Sequence, residues 1–132
     1  MQDHRRVLVC GGRCYKDIKR VFFVLDRVNE QRRISAVIHG GATGADTYAG
    51  EWARVNGIPV EEYKPKYDQY PARIAPKKRN QEMLDIGAPQ LVIAFPGGYG
   101  TKDMIDRAFA ANISVMREDL AEWYREEDDR CD

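Results

Sequence analysis

Short apolar runs alternate along the chain with longer segments in which apolar residues recur every three or four positions. The runs predict strands, and the longer segments predict amphipathic helices. The run at residues 91–95 is apolar throughout, as expected of a strand buried on both faces of a parallel sheet. The predicted strands lie at residues 6–10, 36–39, 60–63, 91–95 and 113–116.

This alternation of strand and helix predicts the fold class. Parallel strands need crossover connections, and such crossovers are right-handed. We therefore predict an α/β fold, a Rossmann-like three-layer doubly wound sheet that is mostly parallel and has about five strands. No repeat of fixed period and no linker interrupts the pattern, so residues 1–132 are expected to form a single domain, with an acidic C-terminal tail at residues 117–132.

Polar residues and glycines mark the ends of the predicted helices. Asp17 suits the N-cap of the first helix, and Asn56-Gly57 is a stop signal for the second. Pro76 suits the first turn of the third helix, and the fourth is expected to begin near Thr101 or Lys102. The buried face predicted for this fourth helix carries Met104, Ile105, Ala108 and Phe109.

Two segments lack a regular pattern of apolar residues. Residues 64–78 contain three prolines and a cluster of lysines and arginines, which predicts a long loop before the helix of Arg79. The acidic tail is expected to hold a short helix around Leu120, Trp123 and Tyr124.

Charge and composition exclude several classes of protein. The 21 basic and 21 acidic residues cancel, so the chain lacks the positive field of a bulk nucleic-acid binder. It has no run of 18 apolar residues and no signal-peptide pattern, so we expect a cytoplasmic protein that does not contact membranes. Cys10, Cys14 and Cys131 lack the spacing of a zinc site, and we expect reduced thiols, no metal and no resident cofactor.

The segment from Phe95 to Thr101 contains the strongest chemical signal. Its glycines join a predicted buried strand to a predicted helix N-terminus, where backbone N–H groups are left unpaired. The positive end of the helix dipole and the absence of β-carbons favour an anion there, above all a phosphate.

Two other glycine turns follow predicted strands. Carboxyl ends of parallel strands share one edge of the sheet, and ligands bind at that edge where the strand order reverses. We therefore predict that the three turns converge on one ligand. The candidate ligand-binding residues in these turns are Gly11, Gly12, Arg13, Gly40, Gly41, Ala42, Gly44, Asp46, Pro96, Gly97, Gly98, Gly100 and Thr101.

These turns carry a resemblance to a known family. Together with Arg79-Asn80 and Met83, the segments 9–13, 39–46 and 95–101 resemble the SLOG superfamily, in particular its YspA/YpsA-related branch. The P-G-G-x-G-T element is shared with the lonely-guy phosphoribohydrolases and the lysine-decarboxylase-like proteins. The resemblance implies a Rossmann-like domain that binds a nucleotide or nucleotide derivative, and it implies a homodimer. It adds Arg79 and Asn80 to the candidate ligand contacts.

The resemblance is incomplete where catalysis is concerned. Lonely-guy hydrolases use an arginine in an R-K-x-x-M helix and the glutamate of P-G-G-x-G-T-x-x-E. Arg79 matches the arginine, but Met104 occupies the glutamate position, and Asp103 stands one residue earlier. Consecutive side chains of a helix differ in direction by ~100°, so Asp103 should point away from the position that the family's glutamate occupies. The candidate catalytic residues are Arg79, Asp46 and Asp103, with Glu82 as a further acid.

Several candidate residues also have a purely structural interpretation. Asp46 and Thr101 can each cap a helix, and Asn80 can serve capping or turn hydrogen bonds. Arg13 and Tyr15 follow the first glycine turn, where they can contact phosphate and stack on a base, although surface exposure is expected for each.

Three functions remain as hypotheses. The leading one is a module that binds a nucleotide-derived ligand as a sensor or holder. The second is a hydrolase that cleaves the N-glycosidic bond of nucleoside monophosphates. The third, implied by SLOG relatives of the DNA-processing protein A family, is single-stranded DNA binding; the neutral charge and the lack of an aromatic stacking row count against it.

Overall fold

The computed structural model describes residues 4–120, and most of the predicted tail, including Trp123 and Tyr124, lies outside them. Five strands and four helices alternate along the chain, and a short 3₁₀ helix, Glu118–Leu120, follows the last strand. The strands are β1 (Arg5–Cys10), β2 (Ile34–His39), β3 (Val60–Glu62), β4 (Leu91–Ala94) and β5 (Ser114–Arg117). The helices are α1 (Ile18–Gln31), α2 (Ala45–Val55), α3 (Ala75–Asp85) and α4 (Tyr99–Ala110).

The sheet has the order β3-β2-β1-β4-β5, and all four strand pairs are parallel. This confirms the predicted doubly wound, Rossmann-like topology. Chain order reverses between β1 and β4, where Val9 pairs with Ile93 and Cys10 with Ala94. Ligands in such folds bind outside the carboxyl ends of the strands at this switch point.

Side chains of β1 alternate between the two faces of the sheet, as the pleat requires. Val7 and Val9 pack in the core beneath α1 and α2, whereas Leu8 and Cys10 pack beneath α3 and α4. The two pairs of helices therefore cover opposite faces, and the central strand is buried on both, as its apolar sequence predicts.

The helix signals are largely confirmed. Asp17 Oδ1 accepts a hydrogen bond from the backbone N–H of Arg20 at 3.0 Å, which caps α1. Gly57 follows α2 with a φ of +68°, the left-handed conformation of a helix stop. Pro76 lies in the first turn of α3.

Three predicted details are wrong. The loop after β3 ends earlier than residue 78, because α3 begins at Ala75. Helix α4 begins at Tyr99, since Gly98 serves as its N-cap without a side-chain hydrogen bond. Phe109 is 53% exposed, although Met104, Ile105 and Ala108 of the same predicted face are buried.

Two sequence-based expectations concerned the cysteines and the absence of membrane-spanning segments. Cys10 is a free thiol buried in β1, and burial raises its pKa. Cys14 is disulfide-bonded, which corrects the expectation of reduced thiols throughout. Within residues 4–120, none of the helices has both the length and the apolar character needed to cross a bilayer.

Candidate functional site

A cleft of about 480 Å³ lies at the carboxyl ends of β1 and β4, where the topology places a ligand site. Its walls come from the turn after β1, the loop after β2, helix α3 and the N-terminus of α4. The lining residues are Cys10, Gly11, Gly12, Arg13, Cys14, Ala42, Asp46, Arg79, Asn80, Met83, Gly98, Tyr99, Gly100 and Thr101.

The cleft brings together most of the candidate residues. Those that line it are Gly11, Gly12, Arg13, Ala42, Asp46, Arg79, Asn80, Gly98, Gly100 and Thr101. Those outside its lining are Gly40, Gly41, Gly44, Pro96, Gly97 and Asp103. Sequence reasoning missed Tyr99, although it occupies the variable position of the P-G-G-x-G-T element, directly between two glycines.

The loop after β2 has already paired its backbone N–H groups. Gly40 and Ala42 donate to Asp46 Oδ2 at 3.0 and 3.3 Å, and Gly41 donates to His39 Nδ1 at 2.9 Å. Burial lowers the pKa of His39, which favours the neutral imidazole that this acceptor role requires. These three N–H groups are therefore occupied by protein acceptors, and the contact of the loop with Arg79 is made by the carbonyl of Gly40.

Arg79 is held by this loop. Its Nη1 donates to the carbonyl of Gly40 at 2.7 Å and more weakly to that of Tyr63 at 3.4 Å. Its Nε donates to Asn80 Oδ1 at 3.1 Å, while Nη2 donates to no acceptor within residues 4–120. Burial lowers the pKa of Arg79, and the Asp46 carboxylate opposes that shift. A charged guanidinium therefore faces the cleft, and its Nη2 is available to a ligand.

Asp46 is the carboxylate of the cleft. It is only 6% exposed, and burial raises its pKa to about 6 against the opposing effects of the Ala42 hydrogen bond and Arg79. The N-cap of α2 is Gly44, with a φ of +83°, so the alternative interpretation of Asp46 as the helix cap is wrong. Asp46 instead lies in the first turn of α2 and reaches back to hold the loop.

The N-terminus of α4 keeps its N–H groups available. The first backbone hydrogen bond of the helix is donated by Lys102, whose N–H lies 3.0 Å from the carbonyl oxygen of Gly98. The N–H groups of Gly98, Tyr99, Gly100 and Thr101 have no acceptor in the described part of the chain. Thr101 is buried in the third position of the helix, so it is not the N-cap.

Two of the glycines in this turn are not required by the packing of the protein. A β-carbon on Gly98 or Gly100 would meet no atom within 4 Å. One on Gly97 would overlap Thr101 Oγ1 and lie 2.6 Å from the backbone nitrogen of Gly12. Gly97 is therefore needed for the contact between the turns after β4 and β1, whereas Gly98 and Gly100 leave open space over the helix N-terminus.

Asn80 and Asp103 join α3 to α4. The Asn80 amide, 4% exposed, donates to the Gly100 carbonyl at 3.2 Å and to Asp103 Oδ2 at 3.0 Å. Asp103 also accepts from Arg107 Nε at 2.8 Å. The carboxylate is thus engaged between the two helices, and Met104 beside it is buried in the core.

The chain matches a family described as the YspA, cpYpsA-related SLOG family over residues 5–70. It is also 36% identical over 119 residues to the Gene 61 protein of Mycobacterium phage D29, covering 85% of this chain and 94% of that protein. The chain belongs to this SLOG family. The matched residues run from β1 beyond β3 and include the first two glycine turns of the SLOG domain.

Two solved structures share the fold of this SLOG domain. One is DNA processing protein A from Streptococcus pneumoniae, with a TM-score of 0.69, 19% identity and coverage of 85% of this chain and 49% of that one. The other is the protein TM1055, with a TM-score of 0.62, 19% identity and coverage of 83% and 72%. The SLOG domain thus spans about half of the DNA processing protein A chain.

The first glycine turn of the SLOG domain carries one exposed and one buried side chain. Arg13 is exposed and lines the cleft, so it is free to reach a ligand. Tyr15 is buried, with its ring 5.7 Å from that of Phe95, so the expectation of surface exposure is wrong for it. Tyr15 therefore belongs to the core beneath the cleft.

Proposed function

We propose that this SLOG domain binds the phosphate of a nucleotide or nucleotide-derived ligand in the cleft, as a sensor or ligand-holding module. One observation carries the proposal. The four unpaired N–H groups from Gly98 to Thr101 line the same cleft as Arg79, whose Nη2 has no protein acceptor within residues 4–120.

Physical chemistry explains why phosphate suits this arrangement. The N-terminus of α4 combines free N–H donors with the positive end of the helix dipole. The Arg79 guanidinium supplies a full charge at a partly desolvated position, where electrostatic attraction is stronger than in water. Open space over Gly98 and Gly100 lets an anion approach the backbone closely.

Titration calorimetry with the four common nucleoside 5′-monophosphates tests the proposal. We expect at least one to bind wild-type protein and to bind Gly98→Val and Arg79→Ala at least tenfold more weakly. Arg54→Ala, which removes an exposed arginine of α2 outside the cleft, should bind as wild type does. Equal affinity in all four proteins would show that the site is assigned wrongly.

Asp46 supports a second candidate, hydrolysis of an N-glycosidic bond. A carboxyl group with a pKa of about 6 lines the cleft beside Arg79, and acid–base catalysts work best near the ambient pH. In this reaction water adds to C1′ of the ribose, the bond from C1′ to the base breaks, and the base leaves with a proton. Asp46 would take the proton from the attacking water and later release it to solvent, and the departing base would take its proton from solvent, so that the net reaction adds one water across the broken bond.

Chromatography of each nucleoside monophosphate after incubation with the protein tests this second candidate. Release of free base by wild type, and its loss in Asp46→Asn with nucleotide binding intact, is the result expected of a hydrolase. If a nucleoside monophosphate bound but no base were released above the blank, the result would contradict hydrolysis and leave ligand holding as the one supported function.

A further inference from the structure

A second cavity, also of about 480 Å³, adjoins the cleft, and the two share part of their walls. Gly98, Tyr99 and Thr101 line both. The turn that carries the unpaired N–H groups is therefore the boundary between two spaces. Each space is large enough for a substantial part of a ligand.

The second cavity differs from the cleft in its chemistry. Both cationic residues that line it are paired with carboxylates of the same cavity. Lys102 Nζ lies 2.9 Å from Asp106 Oδ2. Arg117 donates from Nε and Nη2 to the two carboxylate oxygens of Asp119, at 2.9 and 2.8 Å. Within each pair the positive and negative charges offset each other, so the cavity is a poor site for a second phosphate. It better suits a neutral group.

Aromatic side chains contribute to the same cavity. Phe109, in the last turn of α4, lines it and is 53% exposed, although its neighbours on that helix face are buried. Tyr99 is 94% exposed on the boundary, and the glycines on either side of it carry no side chains that would cover its ring. Exposed rings of this kind stack on planar groups such as nucleobases.

We infer that the ligand continues across the turn into the second cavity. Its phosphate lies on the N–H groups from Gly98 to Thr101, its nucleoside lies in the cleft, and a neutral planar group linked through the phosphate packs against Phe109. The ligand class is a dinucleotide-type molecule in which a diphosphate bridges two ring-bearing groups. This inference rests on the proposed binding of a nucleotide phosphate in the cleft.

Paired ligands test the inference. Titration calorimetry would compare each of the four nucleoside 5′-monophosphates with the corresponding dinucleoside 5′,5′-diphosphate. We expect the bridged ligand to bind wild type about tenfold more tightly than its monophosphate, as one additional stacked ring predicts. Phe109→Ala should remove most of that gain and leave monophosphate affinity unchanged.

Matched variants guard against indirect effects. Phe23→Ala removes a similarly exposed ring, 49% against 53%, from α1 on the opposite face of the sheet, and it should change neither affinity. Phe109→Leu keeps apolar volume without the ring, so it gives a second measurement if Phe109→Ala folds poorly. It should lose most of the gain as well.

Two results would overturn the inference in distinguishable ways. Monophosphates that bind as tightly as bridged ligands, or a bridged ligand indifferent to both Phe109 variants, would confine the ligand to the cleft and leave the proposed function standing. Wild-type protein that binds neither class would remove the proposed function and this inference together.

Discussion

The guanidinium of Arg79 packs on the backbone of Gly40, whose carbonyl accepts from Nη1 at 2.7 Å. A β-carbon at position 40 would overlap that nitrogen and lie 2.7 Å from Cζ of the arginine. The glycine therefore makes room for the arginine. The N–H side of the same loop is held independently by Asp46 and His39.

Replacing Gly40 by alanine should separate ligand binding from stability. The clash falls on the end of a flexible side chain, so Arg79 can move away, and the free energy of unfolding should fall by only about 1 kcal/mol or less. The displaced guanidinium should lose its ligand contact, and affinity should drop about tenfold. Urea denaturation and calorimetry measure the two effects.

Gly44→Ala is the matched comparison for that prediction. Gly44 has a φ of +83°, and a β-carbon there would overlap the backbone carbonyl of Gly12, which cannot rotate away as a side chain does. We expect destabilisation of about 2 kcal/mol or more. If Gly40→Ala bound nucleotides as wild type does, the docked position of Arg79 would be irrelevant to the ligand.

Asp46 should make stability depend on pH. Its pKa is raised from 3.8 to about 6 in the folded protein, so the folded state holds this proton where the unfolded chain has lost it. Stability relative to Asp46→Asn should therefore fall as pH rises from about 4 to about 6, by up to about 3 kcal/mol, and stay level above that window.

The asparagine variant is informative because both loop hydrogen bonds use one oxygen, Oδ2 of Asp46. A side-chain amide can present its carbonyl oxygen in that place, so the loop need not be lost. Chemical denaturation of both proteins at several pH values gives the difference. A difference that did not change with pH would show that Asp46 has the same pKa in the folded and unfolded states.

The fold was predictable from sequence because its determinants are local. Apolar runs identify buried strands, and glycines at their ends identify the edge of the sheet. The pairing of the Gly40–Ala42 loop was not predicted, although its partners are close in sequence. Asp46 was interpreted as a ligand contact or a helix cap, whereas its Oδ2 accepts from Gly40 and Ala42, and His39, treated only as a strand residue, accepts from Gly41 two positions on. The start of α4 was also missed, since its cap, Gly98, offers no side-chain signal.

Gly98 and Gly97 should respond differently to substitution although they are neighbours. Gly98→Ala adds a β-carbon into open space, so the midpoint of unfolding should match wild type, while nucleotide affinity should fall because the methyl group occupies the phosphate approach. Gly97→Ala forces a clash with Thr101 and Gly12 and should cost about 1–3 kcal/mol. A Gly98→Ala protein that bound nucleotides normally would place the anion elsewhere.

Arg79 should govern how salt affects binding. Arg79→Ala removes a charge-assisted hydrogen bond worth ~1.5–3 kcal/mol, a loss of about tenfold to 150-fold in affinity. Because that attraction is screened by ions, affinity of the variant should also fall less steeply with salt than that of wild type.

Arg79→Lys keeps the charge without the planar fork that reaches Gly40, Asn80 and the cleft, so it should retain the salt dependence but recover only part of the affinity. Calorimetry at low and high salt measures both quantities, with Arg54→Ala as the charge-matched control. Parallel salt dependence in wild type and Arg79→Ala would mean that Arg79 does not face the bound anion.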